Sequence, residues 1–334
     1  MAREMTMRKL KFKELLKELK VKKSTLIFCH RNPDPDTLGS AFALSHILEH
    51  FGSRVTVRCC DRPNPKFEFI YTISKISDGD FDINAYERVI AIDVGSASQL
   101  GEYSSLADKV DITIDHHENS TRFSDYYEDF TPACAMIVYE IARSLKLLKK
   151  LPRHFFSSVY AGLSGDTGCF KYSNTTPKAL SIASELIQSG IDFADINYKI
   201  FDCKSIGEIS AIRMAYENVV MLCDSTLAIL TVTNEMRARY SVNDDDIGDI
   251  INTVRQIQGV LIAITIKQSS RDESKFSIST RANADIDVSR LCAEIGGGGH
   301  PRAAGATLTD SDPQSAFEKI KALFERGIDE YNRH

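Results

Sequence analysis

Short apolar runs recur along the first half of the chain, with helix-period segments between them. Residues 25–29 read as a first buried strand and residues 55–60 as a second. Residues 88–92 and 111–114 follow as further strands, short and rich in Val and Ile. Between the first two, Leu38, Ala41, Phe42, Leu48 and Phe51 fall near helical spacing and Gly52 supplies a stop. Helical patterns return at 133–148 and 155–163. Strands alternating with helices indicate an α/β fold, a doubly wound, mostly parallel sheet covered on both faces. A further helix over 177–190 ends in Gly190, residues 195–205 have the mixed look of a linker, and 206–220 reads as a connecting helix. The pattern then changes. Strands are predicted at 227–232, 260–266 and 276–281, and helices at 246–257, 288–295 and 313–331. Asp312 is placed to cap the last of these and Pro313 to open it. The expected organisation is an N-terminal domain over 1–196, a linker helix over 197–217 and a smaller C-terminal α/β domain over 218–334.

A length of 334 residues suits two domains, and 43% hydrophobic with 26% charged content is ordinary for a soluble globular protein. The net charge of −5 argues against holding long duplex nucleic acid by bulk electrostatics, while leaving room for a local basic pocket. Eight cysteines lie scattered with no C-x-x-C, which reads as reduced thiols and a cytoplasmic location. Residues 7–23 alternate basic residues with leucines, like an amphipathic surface helix and unlike a signal peptide. No apolar run approaches the length of a membrane span.

Chemistry-bearing residues collect just past the apolar runs. His30, Asp34 and Asp36 follow the first, Asp93 a later one, and Asp115-His116-His117 another, while Asp166 lies in Gly165-Asp166-Thr167-Gly168 after a helical stretch. Each has a structural alternative: Asp34 and Asp36 as helix caps, Asp93, Asp115 and Asp166 as turn residues, His117 as a core or surface imidazole. Their joint arrival at the carboxyl ends of strands, where open α/β sheets bind ligands, favours a shared site. Four carboxylates and two imidazoles without thiolates suit two divalent cations, manganese or magnesium over structural zinc, sharing a bridging carboxylate. Two ions ~3.5–4 Å apart clamp a phosphoryl group and activate water. The implied chemistry is phosphoester hydrolysis. In the second domain Gly296–Gly299 and His300 form a glycine-rich loop whose amides could face a phosphate, with Arg281 or Arg302 as cation. A plain turn is the alternative, and the spacing does not fit an ATP-type P-loop.

The segments HRNPDPDTLGS, AIDVGS, IDHH, GLSGDTGCFKYSNTT and GGGGHPRAAG, in this order, resemble the motifs of the DHH/DHHA1 phosphoesterases, with the oligoribonuclease and 3′-phosphoadenosine-5′-phosphate phosphatase branch most similar in length and architecture. Pro35 stands where that family usually has Gly, and Thr37 where it often has Ala; neither removes a ligand. The resemblance implies an active site in a cleft between a DHH and a DHHA1 domain. It implies that His30, Asp34 and Asp93 hold one metal, and that Asp36, Asp93, His116 and Asp166 hold the other. His117 would act on the scissile phosphate, Asp115 would orient His116, and Arg281, Gly297, Gly298, Gly299 and His300 would bind substrate. The expected activity is hydrolysis of RNA of two to five nucleotides, or linear dinucleotides such as pApA and pGpG, to mononucleotides, together with 3′-phosphoadenosine-5′-phosphate dephosphorylation. A cyclic-dinucleotide (c-di-AMP) phosphodiesterase, an inorganic pyrophosphatase and a non-catalytic nucleotide sensor are the competing readings. A homodimer is compatible with the family; a membrane partner is not expected.

Overall fold

The alternation of Ile27, Ile90, Ile92 and Ile114 with Leu26, Phe28, Val89 and Ala91 places two apolar faces on one sheet, and each face builds its own core. The computed structural model describes residues 7–71, 76, 79–117 and 120–333. The chain divides into two units, Met1–Cys203 and Lys204–His334.

The first unit runs α1 (Phe12–Leu19), β1 (Thr25–Phe28), α2 (Pro35–His50), β2 (Val55–Arg58), β3 (Arg88–Ile92), β4 (Ile112–Asp115), β5 (Asp125–Glu128), α3 (Cys134–Ser144), α4 (Arg153–Asp166), α5 (Pro177–Gln188) and α6 (Phe193–Asn197). The strands pair in the order β2-β1-β3-β4-β5, every pair parallel. The chain steps from β1 outward to β2 and then crosses back to β3, so the strand order reverses between β1 and β3. Loops leaving adjacent strands in opposite directions open a crevice at their carboxyl ends.

On one face α2, α3 and α4 bury Phe42, Ile137 and Val159 against the sheet. The other face is covered by a 3-10 segment, Ala97–Lys109, kinked at Gly101, which contributes Leu100 and Tyr103. Gly101, at φ 61°, breaks the segment in two, so it does not run as one α-helix. The amphipathic N-terminal helix is confirmed over α1, and its Leu15 and Leu19 are fully buried in the core, while Lys13 and Lys17 face water. Residues 195–205 are not an open linker. They form the end of α6 and a π-helical turn, Tyr198–Asp202, anchored by buried Ile196 and Ile200.

The second unit runs α7 (Ile206–Asn218), β6 (Val220–Leu222), β7 (Leu227–Val232), α8 (Asn234–Tyr240), α9 (Ile250–Arg255), β8 (Ile262–Gln268), β9 (Lys275–Ala282), α10 (Val288–Ala293), β10 (Gly298–His300), β11 (Ala303–Thr309) and α11 (Pro313–Asn332). Its sheet has the order β10-β11-β9-β8-β7-β6 and is antiparallel except for β7 with β8. One face packs Ile264, Phe276 and Ile278 on Leu291, Ile320 and Phe324 of α10 and α11. The other face is covered by α7 and α9 over Ala228, Leu230 and Ala263. Beyond β8 that face turns polar, with Lys275, Ser277, Ser279 and Arg281 alternating against buried Phe276, Ile278, Thr280 and Ala282. The helix expected over 246–257 is shorter, because Asp246 turns back to accept the Asn243 amide at 3.0 Å.

Candidate metal centre

Capping and site-building are done by different oxygens of the same residue in the loop after β1. Asp34 is the N-cap of α2, and its Oδ1 accepts from the amides of Asp36 and Thr37, both at 2.9 Å. Its Oδ2 stands 3.6 Å from His30 Nε2. Asp93 follows β3 with φ 58°, a left-handed conformation that Asp tolerates better than most residues and that is concentrated at functional sites. Asp115 ends β4, and His116 and His117 continue from it. Asp166 is the last residue of α4 and reaches the same edge because α4 lies close along α2. Gly162 permits that approach: a Cβ there would stand 2.7 Å from Asp36 Oδ1 and 2.8 Å from Ala135 Cβ. Gly162→Ala is therefore expected to push Asp36 out of place, lowering stability by about 1–3 kcal/mol and weakening metal binding. Denaturant melts and a manganese titration check both effects.

Asp93 is the centre of the group. Its Oδ2 accepts from Thr37 Oγ1 at 2.6 Å and lies 3.5 Å from His30 Nε2. Its Oδ1 is buried without a hydrogen-bond partner, 3.3 Å from His116 Nε2. The same Nε2 is 3.4 Å from Asp166 Oδ2 and 3.8 Å from Asp36 Oδ2. Three overlapping groups of ligand atoms result, His30–Asp34–Asp93, Asp36–His116–Asp166 and Asp93–His116–His117, with Asp93 reaching between the first two. The histidine tautomers fit a cation. His30 Nδ1 faces the Arg31 carbonyl at 2.7 Å, and His116 Nδ1 faces the Thr131 carbonyl at 2.9 Å. A carbonyl only accepts, so each Nδ1 carries a proton, and each Nε2 is the nitrogen left to hold a cation once the ring is neutral. The anionic oxygens around each Nε2 need positive charge there, from a ring proton in the metal-free protein or from a bound cation. His30, Asp34, Asp93, His116 and Asp166, with Arg31, Asn32, Gln99 and His117, line a cavity of about 360 Å³, and Asp36 lies buried behind it.

The titration behaviour of the metal-free protein expresses the same need. Burial, reinforced by the Asp93 charge, pushes Asp36 up to about 7. Burial and the neighbouring Asp36 push Asp166 well above the usual carboxylate range. Burial would lower His30, but Asp34 and Asp93 outweigh it and drive it up to about 12. His116 is likewise pulled down by burial and raised well above its ordinary value by Asp93. Asp93 goes the other way: burial would raise it, and His116 and His30 hold it well below the usual range. Every raised group binds protons more tightly folded than unfolded, so the stability of the chelated protein should fall as pH rises from 6 to 8. A bound cation must displace those protons, so manganese affinity should rise over the same interval with proton release. Calorimetry in two buffers of different ionisation enthalpy measures the release, and melts with chelator give the opposing trend.

Asp115 is fully buried and orients a different ring from the one expected. Its Oδ1 accepts from His117 Nδ1 at 2.7 Å and from the His116 amide at 2.9 Å; its Oδ2 accepts from Ser120 Oγ at 2.5 Å and faces Arg122 Nη1 at 3.5 Å. The His116 ring belongs instead to the Thr131 carbonyl, so the expectation that Asp115 orients His116 is corrected to His117. Burial would raise Asp115, but His117 and Ser120 hold it below the usual range. Sequence reasoning gave Thr37 no role in the site and passed over Thr131, Ser120 and Arg122. It also passed over the amides of Cys134 and Ala135, which donate to Asp36 at 2.6 and 2.9 Å from the N-terminus of α3. A signal was present: α3 starts at Ala133-Cys134 with no capping side chain of its own, so an acceptor must come from elsewhere.

In the second unit the glycine loop is a hairpin. Gly298–His300 pair with β11, and Gly299, at φ 140°, lies where a Cβ would come 2.7 Å from the Ala303 carbonyl. His300 pairs with Ala303, and Ala303 with Arg281, so these residues share one row and one face of the sheet. Gly298 is exposed in the hairpin, while half-buried Gly297 packs on β11, where a Cβ would run into the Gly305 carbonyl. Arg302 turns away to the Ala284 carbonyl and Asp285.

The model of the DHH family, N-terminal domain, matches residues 24–163, and that of the DHHA1 domain matches residues 224–329. A Streptococcus mutans protein named probable bifunctional oligoribonuclease and PAP phosphatase NrnA is 26% identical over 93% of this chain and 98% of its own length. The Bacillus subtilis protein named bifunctional oligoribonuclease and PAP phosphatase NrnA is 24% identical over 90% of this chain and 94% of its own. Among solved structures, an exopolyphosphatase-related protein from Bacteroides fragilis superposes with a TM-score of 0.84 at 21% identity, covering 95% of each chain. RecJ from Thermus thermophilus in complex with Mn2+ gives 0.51 at 15% identity over 93% of this chain and 53% of that one. At such identities the structural likeness speaks to the fold.

Proposed function

The chain belongs to the DHH/DHHA1 phosphoesterase family and is a hydrolase of phosphoester bonds; from that premise we propose that it uses two divalent cations, manganese ahead of magnesium, to cleave very short RNA and linear dinucleotides to mononucleotides. The observation that carries the metal-dependent reading is Asp93, with one oxygen toward His30 and the other buried, unpartnered and toward His116. His30, Asp34 and Asp93 would hold one cation; Asp36, Asp93, His116 and Asp166 would hold the other. Bound cations supply Lewis acidity toward the phosphoryl oxygens and activation of the attacking water.

The chain's own residues do the rest. Thr37 fixes the Asp93 carboxylate, and the carbonyls of Arg31 and Thr131 fix the His30 and His116 rings. His117 keeps its proton on Nδ1 against Asp115, so it acts on the scissile phosphate or the leaving oxygen through Nε2. In the second domain Arg281, the glycine hairpin and His300 bind the substrate's terminal phosphate. The short-substrate preference is supported by relatives aligned over nearly their full length whose names specify oligoribonuclease and PAP phosphatase. 3′-Phosphoadenosine-5′-phosphate is the second substrate on the same grounds.

Product analysis with manganese tests this, using a 5′-labelled RNA trimer, a long RNA, linear and cyclic di-AMP, 3′-phosphoadenosine-5′-phosphate and pyrophosphate. Cleavage of the trimer and linear dinucleotide with the long RNA and cyclic form spared is the expected result. Preferential cleavage of the cyclic dinucleotide or of pyrophosphate would replace the substrate assignment. Nucleotide binding with no hydrolysis would overturn the catalytic reading.

A further inference from the structure

The polar half-face of the second sheet carries a feature that neither the metal centre nor the glycine hairpin uses. Lys267 on β8 pairs with Ser277 on β9, and Ser277 pairs with Thr307 on β11, giving one row across three strands. That row lies four residues along β9 from the Arg281–Ala303–His300 row, roughly 13 Å at strand rise. A cavity of about 430 Å³ opens over it, lined also by Arg237, Asp244, Ser269 and Arg271.

Charge there is not balanced. Arg237 is 9% exposed, and its guanidinium meets the Asn234 side chain, the Gln268 carbonyl and Asp244. Its Nε is buried with no hydrogen-bond partner. Lys275 is matched by Asp272 at 3.3 Å. Lys267 and Arg271, by contrast, face no carboxylate within ion-pair distance among the described residues. Burial lowers the Lys267 ammonium's pKa, and the neighbouring Arg237 lowers it further. A half-buried cation beside a second cation, with hydroxyls on the adjoining strands, is short of an anion.

We infer that this row is an anion subsite for a phosphate group, either free phosphate or the monoester of a mononucleotide, with Lys267 as its central cation and Arg237, Ser277 and Thr307 as its flanking donors. Phosphate suits the geometry because it accepts from several donors at once, and no backbone loop is needed to cradle it. Asp244 is the one carboxylate lining the cavity, and it opposes binding.

The test is calorimetric titration of the full-length protein, held in chelator so that the metal centre takes no part. Inorganic phosphate and 5′-AMP are the two probes. Lys267→Met should weaken phosphate binding at least tenfold. Asp244→Asn should tighten it several-fold, an opposite sign that a folding defect cannot produce. Arg326→Gln, whose guanidinium pairs with Glu294 outside the cavity, should leave phosphate binding within twofold. Equal affinity for both probes identifies free phosphate as the ligand; tighter 5′-AMP binding that is also lost in Lys267→Met identifies the mononucleotide. Binding lost in Arg281→Gln but kept in Lys267→Met, or no change in either Lys267→Met or Asp244→Asn, overturns the proposal. None of these outcomes depends on whether short RNA is hydrolysed.

Discussion

Asp93→Asn is expected to lower kcat/KM for hydrolysis of a short RNA by about 10³-fold or more while leaving the fold intact, because it removes the one carboxylate that serves both ligand clusters. The substitution isolates charge from shape. Asn tolerates the left-handed backbone at this position nearly as well as Asp. Thr37 Oγ1 donates to Oδ2, so the Asn carbonyl takes that place and the amide group takes the place of Oδ1. There it stands 3.3 Å from His116 Nε2, whose lone pair accepts from it. The neutral amide thus fills the gap a cation would fill, and chelated wild type and variant should melt within a few degrees of each other. Added manganese should raise the melting temperature of the wild type, since a ligand bound only to the folded state stabilises it. The variant should show little of that rise. Retention of a tenth of the activity, or an undiminished manganese-induced shift, would mean that Asp93 bridges nothing.

How much of this was legible beforehand depends on how local each cause is. β1, β3 and β7 were readable because their apolar runs end at polar loops, and α11 because Asp312 and Pro313 announce its start. The ligand set was readable as residue types, since His30, Asp34, Asp93 and His116 all follow strands or their loops. Their partners were not. Thr131 and the α3 amides reach the site through strand order and helix packing, which no local period encodes. The half-buried strand β5, Asp-Tyr-Tyr-Glu, has no apolar alternation and was missed for that reason. The 3-10 cover over the other face of that sheet was missed for a different reason, the break at Gly101 that divides its apolar pattern. The assignment of Asp115 failed through adjacency: in the sequence it touches His116, but its Oδ1 takes the amides of both histidines and the ring of only the second.

That geometry yields the second large effect. Asp115→Asn should lower kcat/KM by roughly 10–100-fold, the range for loss of a partner that orients a reacting group. An asparagine can keep its carbonyl toward His117 Nδ1 and the two amides, since Ser120 Oγ can turn to accept from the new amide group. The hydrogen bond to His117 then survives as a neutral one, about half as strong. Arg122, 3.5 Å from Oδ2, loses one carboxylate and keeps Glu128. Stability should fall as well, but a stability loss alone would not show how Asp115 contributes to turnover. The discriminating measurement is a double-mutant cycle with His117→Ala on the same substrate. If Asp115 acts by holding the His117 ring, the double variant should be no slower than His117→Ala alone. If the two losses multiply, Asp115 works instead through the amide it receives from His116, and the effect should appear as weakened manganese affinity with kcat restored at saturating metal.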